Sequence, residues 1–142
     1  MLEGTEMPHT VKHDPVLAIV EVTFTGSVTG ADLREATTKC STLQKQTGAT
    51  RFLVDGNQWD VIASFVDIYD LPAEQYLNEE VYRESRIAVV LPTSERSLYA
   101  AQFYETACQN RGWNAKVYPD RQSALDWLMS AVDSKKIEAG DG

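Results

Sequence analysis

Short segments rich in β-branched residues alternate along this chain with longer segments whose apolar residues recur at helical spacing. This alternation predicts a sheet covered by helices, because strands and amphipathic helices bury their apolar sides against one another. Four segments have the composition of strands, and a shorter one before them is expected to form a hairpin with the first. The strand segments are 16–25, 51–55, 86–91 and 113–118, and the shorter one is 10–14.

Helix signals follow the strand segments. Thr29 and Asp32 have the spacing of a capping box, an apolar stripe follows them, and Gly48 provides a left-handed stop. Further helices are predicted at 64–69 and 73–81, as two short helices or as one helix kinked at Leu71 and Pro72, and at 94–111 and 121–132. Since strand–helix–strand crossovers are right-handed and parallel, we predict a mixed, mostly parallel sheet of four to five strands flanked by about four helices.

The length of 142 residues is typical of one domain. We expect a single α/β domain over residues 1–133 and a flexible polar tail over 134–142, where apolar periodicity is lost.

Charge and composition exclude several classes of partner. The net charge of −8 repels phosphate backbones, so no nucleic-acid partner is expected. No apolar run reaches the roughly 20 residues of a membrane span, so no membrane insertion is expected. Residues 1–10 lack a basic region followed by an apolar one, which predicts a cytoplasmic protein.

Cys40 and Cys108 fall in predicted helices, where reduced thiols act as small apolar groups.

Several motifs resemble those of the SpoIIAA-like proteins of the STAS superfamily, to which the anti-sigma factor antagonists belong. They are the helix start G.VTG.DL at 26–33, RIAVVLP at 86–92, FYETACQNRGW at 103–113 and KVYPDRQSALDWL at 116–128. The resemblance covers most of residues 9–132. It implies helices around a mixed sheet and a role in protein–protein regulation or in binding a small or lipid-like ligand, without catalysis. Such motifs specify fold better than activity.

The resemblance also bears on Ser64. In the antagonists, a serine that follows a strand and opens a helix is phosphorylated by a partner kinase. Matching Asp55 to the aspartate of that strand places Ser64 near the switch position, although Ala63 and Phe65 flank it here instead of an Asp-Ser-Ser-Gly type sequence. Ser64 is therefore either a phosphoacceptor or simply a helix N-cap.

One predicted loop combines two carboxylates, an amide and a large aromatic, namely Asp55, Asn57, Trp59 and Asp60. Ligands of parallel α/β sheets gather outside the carboxyl ends of the strands, so this loop is a candidate binding rim. The alternative is a plain turn whose tryptophan covers the edge of the core.

Aromatic residues cluster in the irregular middle region, where Phe65, Tyr69, Tyr76 and Tyr82 stand. They are expected to form the wall of an apolar cavity or a surface for a protein partner or a second copy of the chain.

Catalytic signatures are not found in the sequence: it has no GxSxG, P-loop, GxGxxG or HExxH. His9 and His13 share one side of a possible strand, but no third ligand accompanies them, so neither a metal nor a cofactor is predicted. The leading hypothesis is a non-catalytic binding or regulatory module. The alternatives are a phosphoswitch at Ser64 and an enzyme with a site between Asp55 and Asp60.

Overall fold

A five-stranded sheet forms the centre of the structure, a computed structural model that describes residues 9–130. The strands are His9–Asp14 (β1), Ile19–Val28 (β2), Arg51–Val61 (β3), Arg86–Val90 (β4) and Asn114–Tyr118 (β5). They lie side by side in chain order, with β1 antiparallel to β2 and the other three pairs parallel. The predicted mixed sheet is confirmed. The predicted tail at 134–142 lies outside the described residues.

Helices cover the two faces of the sheet unequally. The described residues form the α-helices Gly30–Thr47 (α1), Phe65–Asp70 (α2), Tyr76–Asn78 (α3), Glu95–Asn110 (α4) and Arg121–Met129 (α5), with a π-helical turn, Leu71–Gln75, joining α2 to α3. One face packs against α1, the continuous α2–α3 segment and α4, while α5 packs on the other. None of these helices is both long and apolar enough to span a bilayer.

The hairpin between β1 and β2 is present, but its turn is longer than the sequence predicts. Residues 16 and 17, predicted in a strand, lie in the turn, and Val16 is 89% exposed. Asp14 Oδ1 accepts hydrogen bonds from the backbone N–H groups of Val16 and Leu17, at 2.9 and 3.2 Å. These local bonds compete with strand pairing, so β2 begins only at Ile19.

Both ends of α1 follow the predicted caps. Thr29 Oγ1 accepts a hydrogen bond from the Asp32 N–H, and Asp32 Oδ2 accepts one from the Thr29 N–H, at 3.1 and 2.8 Å. Gly48 ends the helix with a φ of 76°, which glycine adopts without strain. These reciprocal bonds satisfy donors that a helix start otherwise leaves without partners.

A bulge interrupts β3 where the sequence predicts the strand to end. Thr23 and Thr25 of β2 pair with Asp55 and Gln58 of β3, so two residues of β3 stand opposite one of β2. One extra residue reverses which side chains face each side of the sheet. Phe52 and Val54 face the larger core before the bulge, and Trp59 and Val61 do so after it. The predicted turn is thus a bulge inside one long strand.

Gly56 lets the indole of Trp59 lie directly on the strand. A Cβ on Gly56 would stand 2.4 Å from Trp59 Cε2 and 2.7 Å from Nε1, which is closer than a Cβ comes to nonbonded heavy atoms in proteins. Phe24 of β2 packs on the same indole, with ring centroids 4.9 Å apart. The position of Trp59 in the interior therefore depends on the absence of a side chain at Gly56.

We predict that Gly56→Ala lowers the free energy of unfolding by about 1–3 kcal/mol, because the new methyl group overlaps the Trp59 ring and forces it to move. Urea unfolding followed by circular dichroism measures this loss.

The double variant Gly56→Ala, Trp59→Leu separates this clash from a general backbone effect. With the ring removed, Gly56→Ala should cost less than it does in the parent, so the two single losses should not add. Fully additive losses would show that the contact between Gly56 and Trp59 is not the cause.

Candidate ligand cavity and partner surface

A cavity of about 100 Å³ lies in the larger core, between the sheet and α1, the α2–α3 segment and α4. Strands β2, β3 and β4 supply one wall with aromatic and branched side chains: Val22, Phe24, Phe52, Val54, Trp59, Val61, Ile87 and Val89. The helices opposite contribute Ala36, Ala100 and Ala101. Because alanine ends at Cβ, these three positions leave space that larger side chains would fill.

The residues that line the cavity carry no formal charge, and their polar side chains are mostly paired. Thr37 Oγ1 donates to the carbonyl of Leu33 at 2.8 Å. Ser41 Oγ donates to Glu79 Oε1 at 2.7 Å. The Tyr76 and Tyr104 hydroxyls bond to each other. These groups therefore have little capacity left for a ligand.

Gln44 is a fully buried member of this lining and is satisfied at both ends of its amide. Its Nε2 donates to the Ala49 carbonyl at 2.9 Å and to Ser85 Oγ at 2.8 Å. Its Oε1 accepts from the Tyr82 N–H at 2.9 Å. This amide ties α1 to the segments before β3 and β4, and so has a structural role in the cavity wall.

The titratable groups at the cavity stay neutral at neutral pH. Burial raises the pKa of the Cys40 thiol to about 12, and burial likewise raises the pKa of Cys108, beneath Tyr104, to about 12. Burial also raises the pKa of Tyr76 and of Tyr104 well above the usual value. A thiolate is the nucleophilic form of cysteine, so these thiols are inert apolar groups, as the sequence predicts for them.

The residues of the predicted rim do not lie together. Asp55 faces the α5 side, where its carboxylate lies 3.7 Å from Arg121 Nη1. Trp59 lies in the cavity wall, and its neighbour Asp60 is exposed, since successive strand residues point to opposite faces. Asn57 belongs to the bulge. The structure thus places these four residues along one strand, with Asp55 and Trp59 on opposite faces, and not on a common loop.

The predicted aromatic cluster divides between the interior and the surface. Tyr76 is buried and packs edge-on against Trp113, with ring centroids 5.4 Å apart. Phe65 is 52% exposed and stacks on Phe103 of α4 at 4.7 Å. Tyr69 is 38% exposed.

Phe65 and Phe103 border a groove between the start of α2 and α4, together with Ser64 and Tyr99, which is 59% exposed. We call these four residues the α2–α4 surface.

Ser64 is the N-cap of α2, as one of the two sequence interpretations predicts. Its Oγ accepts a hydrogen bond from the Asp67 N–H at 3.0 Å, and Asp67 Oδ2 accepts one from the Ser64 N–H at 3.4 Å. The residue is exposed, so its hydroxyl is open to solvent at the edge of the α2–α4 surface. An N-cap role and a modification site are compatible at such a position.

His9 meets acidic residues that the sequence does not point to. One of its ring nitrogens and the carboxylates of Asp32 and Glu35 lie within 4.8 Å of one another. The Lys39 ammonium stands 3.4 Å from His9 Nε2 and 3.7 Å from Glu35. Burial, and then the charge of Lys39, lower the pKa of His9. A lysine cation therefore already occupies the position beside these carboxylates.

No family model matches the chain, and no curated protein matches it in sequence. Solved structures do resemble it. One is an uncharacterized protein of the DUF3478 family with a SpoIIAA-like fold from Shewanella loihica PV-4, with a TM-score of 0.54 and 20% identity over 84% of this chain and 91% of that one.

The anti-sigma factor antagonist SpoIIAA in its unphosphorylated form also matches, with a TM-score of 0.53 and 13% identity over 84% of this chain and 96% of that one. At such identities the likeness concerns the fold. The resemblance predicted from the sequence motifs is confirmed at that level: the chain has a SpoIIAA-like fold.

Proposed function

We propose that this protein is a non-catalytic, STAS-like binding module that takes a small, neutral, largely apolar molecule into its core cavity. The observation that carries the proposal is the cavity of about 100 Å³ with an uncharged lining. Ligand sites in proteins are typically concave and lined mainly by apolar and aromatic side chains with a few polar groups.

The energetic cost of the cavity supports a role in binding. Empty space in a core destabilises a protein by about 24 cal/mol per Å³, or about 2 kcal/mol for a volume of about 100 Å³. Larger side chains at Ala36, Ala100 or Ala101 would remove this cost. The chain has alanine at these positions and so leaves the cavity unfilled, which supports a ligand that fills it.

The volume favours a compact molecule over a lipid chain. An engineered apolar cavity of about 150 Å³ holds benzene, so about 100 Å³ suits a single small ring or a short branched molecule. Of the apolar and lipid-like ligands that the sequence predicts, we therefore favour the small apolar kind.

The arrangement of acidic groups supports a binding role more than an enzymatic one. General acid–base catalysis needs titratable groups that converge on one substrate. Asp55 lies beside Arg121 under α5, and Asp60 is exposed away from the cavity. The alternative of an enzyme with a site at Asp55 to Asp60 therefore has less support.

We predict that Ala101→Leu abolishes binding of benzene, because the added side chain occupies the cavity, and that it raises or preserves the melting temperature. Binding is measured in the parent by methyl chemical shifts of Val22, Val89 and Ile87 as benzene is added. Ala36→Val serves as a second, smaller filling variant if leucine proves too large for the site.

Ala31→Leu is the matched control, since Ala31 is an exposed residue of α1. It should change neither benzene binding nor the cavity methyl shifts. The proposal is wrong if benzene near its solubility limit leaves the parent's cavity methyl groups unshifted, or if Ala101→Leu binds benzene as well as the parent does.

A second candidate function is regulation through a protein partner or a second copy at the α2–α4 surface. The specific observation is the exposure there of Phe65 and Tyr99, large side chains of the kind enriched at protein interfaces. Ser64 at the edge of this surface supports the phosphoswitch as a part of this candidate, because phosphate would add charge beside Asp67 and loosen the α2 cap.

For this candidate we predict that protein recovered from its host's cytoplasm carries phosphate on Ser64, mapped by tandem mass spectrometry. Ser64→Ala should abolish the modification. Ser94→Ala is the matched control, because Ser94 is likewise an exposed N-cap serine, of α4. Equal phosphorylation of Ser64→Ala and the parent would exclude the switch.

A further inference from the structure

We infer that ligands enter the cavity between α1 and the α2–α3 segment, and that Glu79 holds this entrance closed. The inference rests on the proposed binding function and adds to it the route by which a ligand reaches the core.

A wall of the cavity has to move before a ligand can enter, because most of the lining residues are buried. The α2–α3 segment is the wall with the least regular structure. Its two α-helices have six and three residues and are joined by a π-helical turn, whereas α1 and α4 have 18 and 16 residues. Short helices depend on packing for their stability, and π-helical turns are frequent at functional sites. This segment is therefore the wall that moves most readily.

The border between α1 and this segment is polar. Four polar residues of α1 follow one another at spacings of three or four, which places them on one side of the helix: Arg34, Thr38, Ser41 and Lys45. Hydrogen bonds join them to three residues of the segment, Asp67, Gln75 and Glu79. We call these seven residues the polar seam.

The polar seam lies over the cavity. Ser41 belongs to the seam and also lines the cavity, as do its neighbour Cys40 on α1 and Leu71 and Tyr76 on the segment. Parting the seam therefore uncovers the cavity.

Glu79 is the centre of the seam. Its Oε2 accepts hydrogen bonds from Thr38 Oγ1 at 2.7 Å and from Gln75 Nε2 at 3.0 Å, and its Oε1 accepts one from Ser41 Oγ at 2.7 Å. Lys45 Nζ donates to its backbone carbonyl at 2.8 Å. Burial alone would raise the pKa of Glu79, but these three side-chain hydrogen bonds and the charge of Lys45 lower it below the usual value. An ionised carboxylate therefore joins α1 to the segment.

The opposite border of the segment is largely apolar. Phe65 stacks on Phe103 of α4, with ring centroids 4.7 Å apart, and Tyr76 packs edge-on against Trp113 at 5.4 Å. Separating apolar surfaces exposes them to water without compensation, whereas hydrogen-bonding groups take water as a new partner. The segment therefore opens along the polar seam and stays attached to α4.

Two features of the closed state lower the cost of opening. Among the residues that the structure describes, Gln75 Oε1 is a buried acceptor without a hydrogen-bond partner, and opening would give it water. Glu80, at the end of α3, has a φ of 57°, a left-handed conformation that a residue with a Cβ adopts only at a cost. Opening would free Glu80 from this conformation.

We predict that Glu79→Ala speeds the exchange of benzene about tenfold, because it removes the acceptor of three hydrogen bonds. Association and dissociation should accelerate together and leave the dissociation constant within about twofold of the parent, since the closed form remains the major one. Thr38→Val removes one of these bonds and should give a smaller increase, about threefold. Rates come from NMR line shapes and relaxation dispersion of the Val22, Ile87 and Val89 methyl groups.

Two control variants separate the gate from general effects. Glu74→Ala removes an exposed carboxylate of the same segment that is not part of the seam. Leu125→Ala weakens the packing of α5 on the other face of the sheet. Both variants should exchange benzene at the rate of the parent.

The Tyr82 amide gives a readout that needs no ligand. This N–H, just after α3, donates to Gln44 Oε1 of α1 at 2.9 Å, so its hydrogen exchange reports opening of the same border. In the parent it should exchange faster than the amides of β4, through an opening smaller than global unfolding. Glu79→Ala should speed its exchange further, about tenfold.

The possible outcomes separate the two proposals. If benzene does not bind the parent, the proposed function fails, and the Tyr82 amide alone decides whether the border opens. If benzene binds but Glu79→Ala exchanges it at the parent's rate, or Leu125→Ala speeds the exchange equally, the inference is overturned while cavity binding stands. A Tyr82 amide that exchanges no faster than those of β4 would overturn it as well.

Discussion

The extra residue in β3 is the constraint on which the interior of this protein depends. Without the bulge, strict alternation would turn Asp60 toward the larger core and Trp59 toward the opposite side. Burial of a carboxylate there would be costly, so the bulge and the apolar core require each other. Gly56 completes the arrangement, because a side chain at that position would overlap the indole.

The cavity follows from how the two faces of the sheet are covered. On the α5 side, Leu53 and Ala88 meet Ala124 and Leu128 and form a small, closed cluster. On the other side, three helical segments share a wider surface, and the alanines of α1 and α4 do not fill it. Because most polar groups in this wall are bonded to the protein, the space between them remains apolar. A small neutral molecule is the kind of guest that such a space accommodates.

Local signals predicted most of the fold. The cap of α1 at Thr29 and its stop at Gly48 depend on residues close in sequence, and the structure shows both of them. At Pro72 the helix does not break, because a π-helical turn continues it from α2 to α3. The bulge was not predicted, because Asp55, Gly56 and Asn57 are also typical of a turn, and the flanking pairs with Thr23 and Thr25 that make Gly56 and Asn57 a bulge are not local. Apart from Tyr76, the residues of the cavity wall were not predicted for a related reason: they are spread along the chain from Val22 to Tyr104.

The candidate site shows the same limit. Sequence reasoning grouped Asp55, Asn57, Trp59 and Asp60 as one loop, whereas they belong to one strand that turns Asp55 and Trp59 to opposite faces. It also grouped Tyr76 with Phe65 and Tyr69, as a cavity wall or a surface, whereas Tyr76 lines the cavity and the other two are exposed. Alanines on the apolar stripes of α1 and α4 were the available signal for a cavity, but alanine is equally common in close helix packing.

The central claim is that the larger core holds an accessible apolar space beside Trp59 and Ala101. A crystal structure of the protein under xenon pressure tests it most directly, because xenon enters apolar cavities and scatters strongly. The account predicts xenon density between the Trp59 indole and α4. Crystals that bind xenon elsewhere but show a filled core at this place would contradict it.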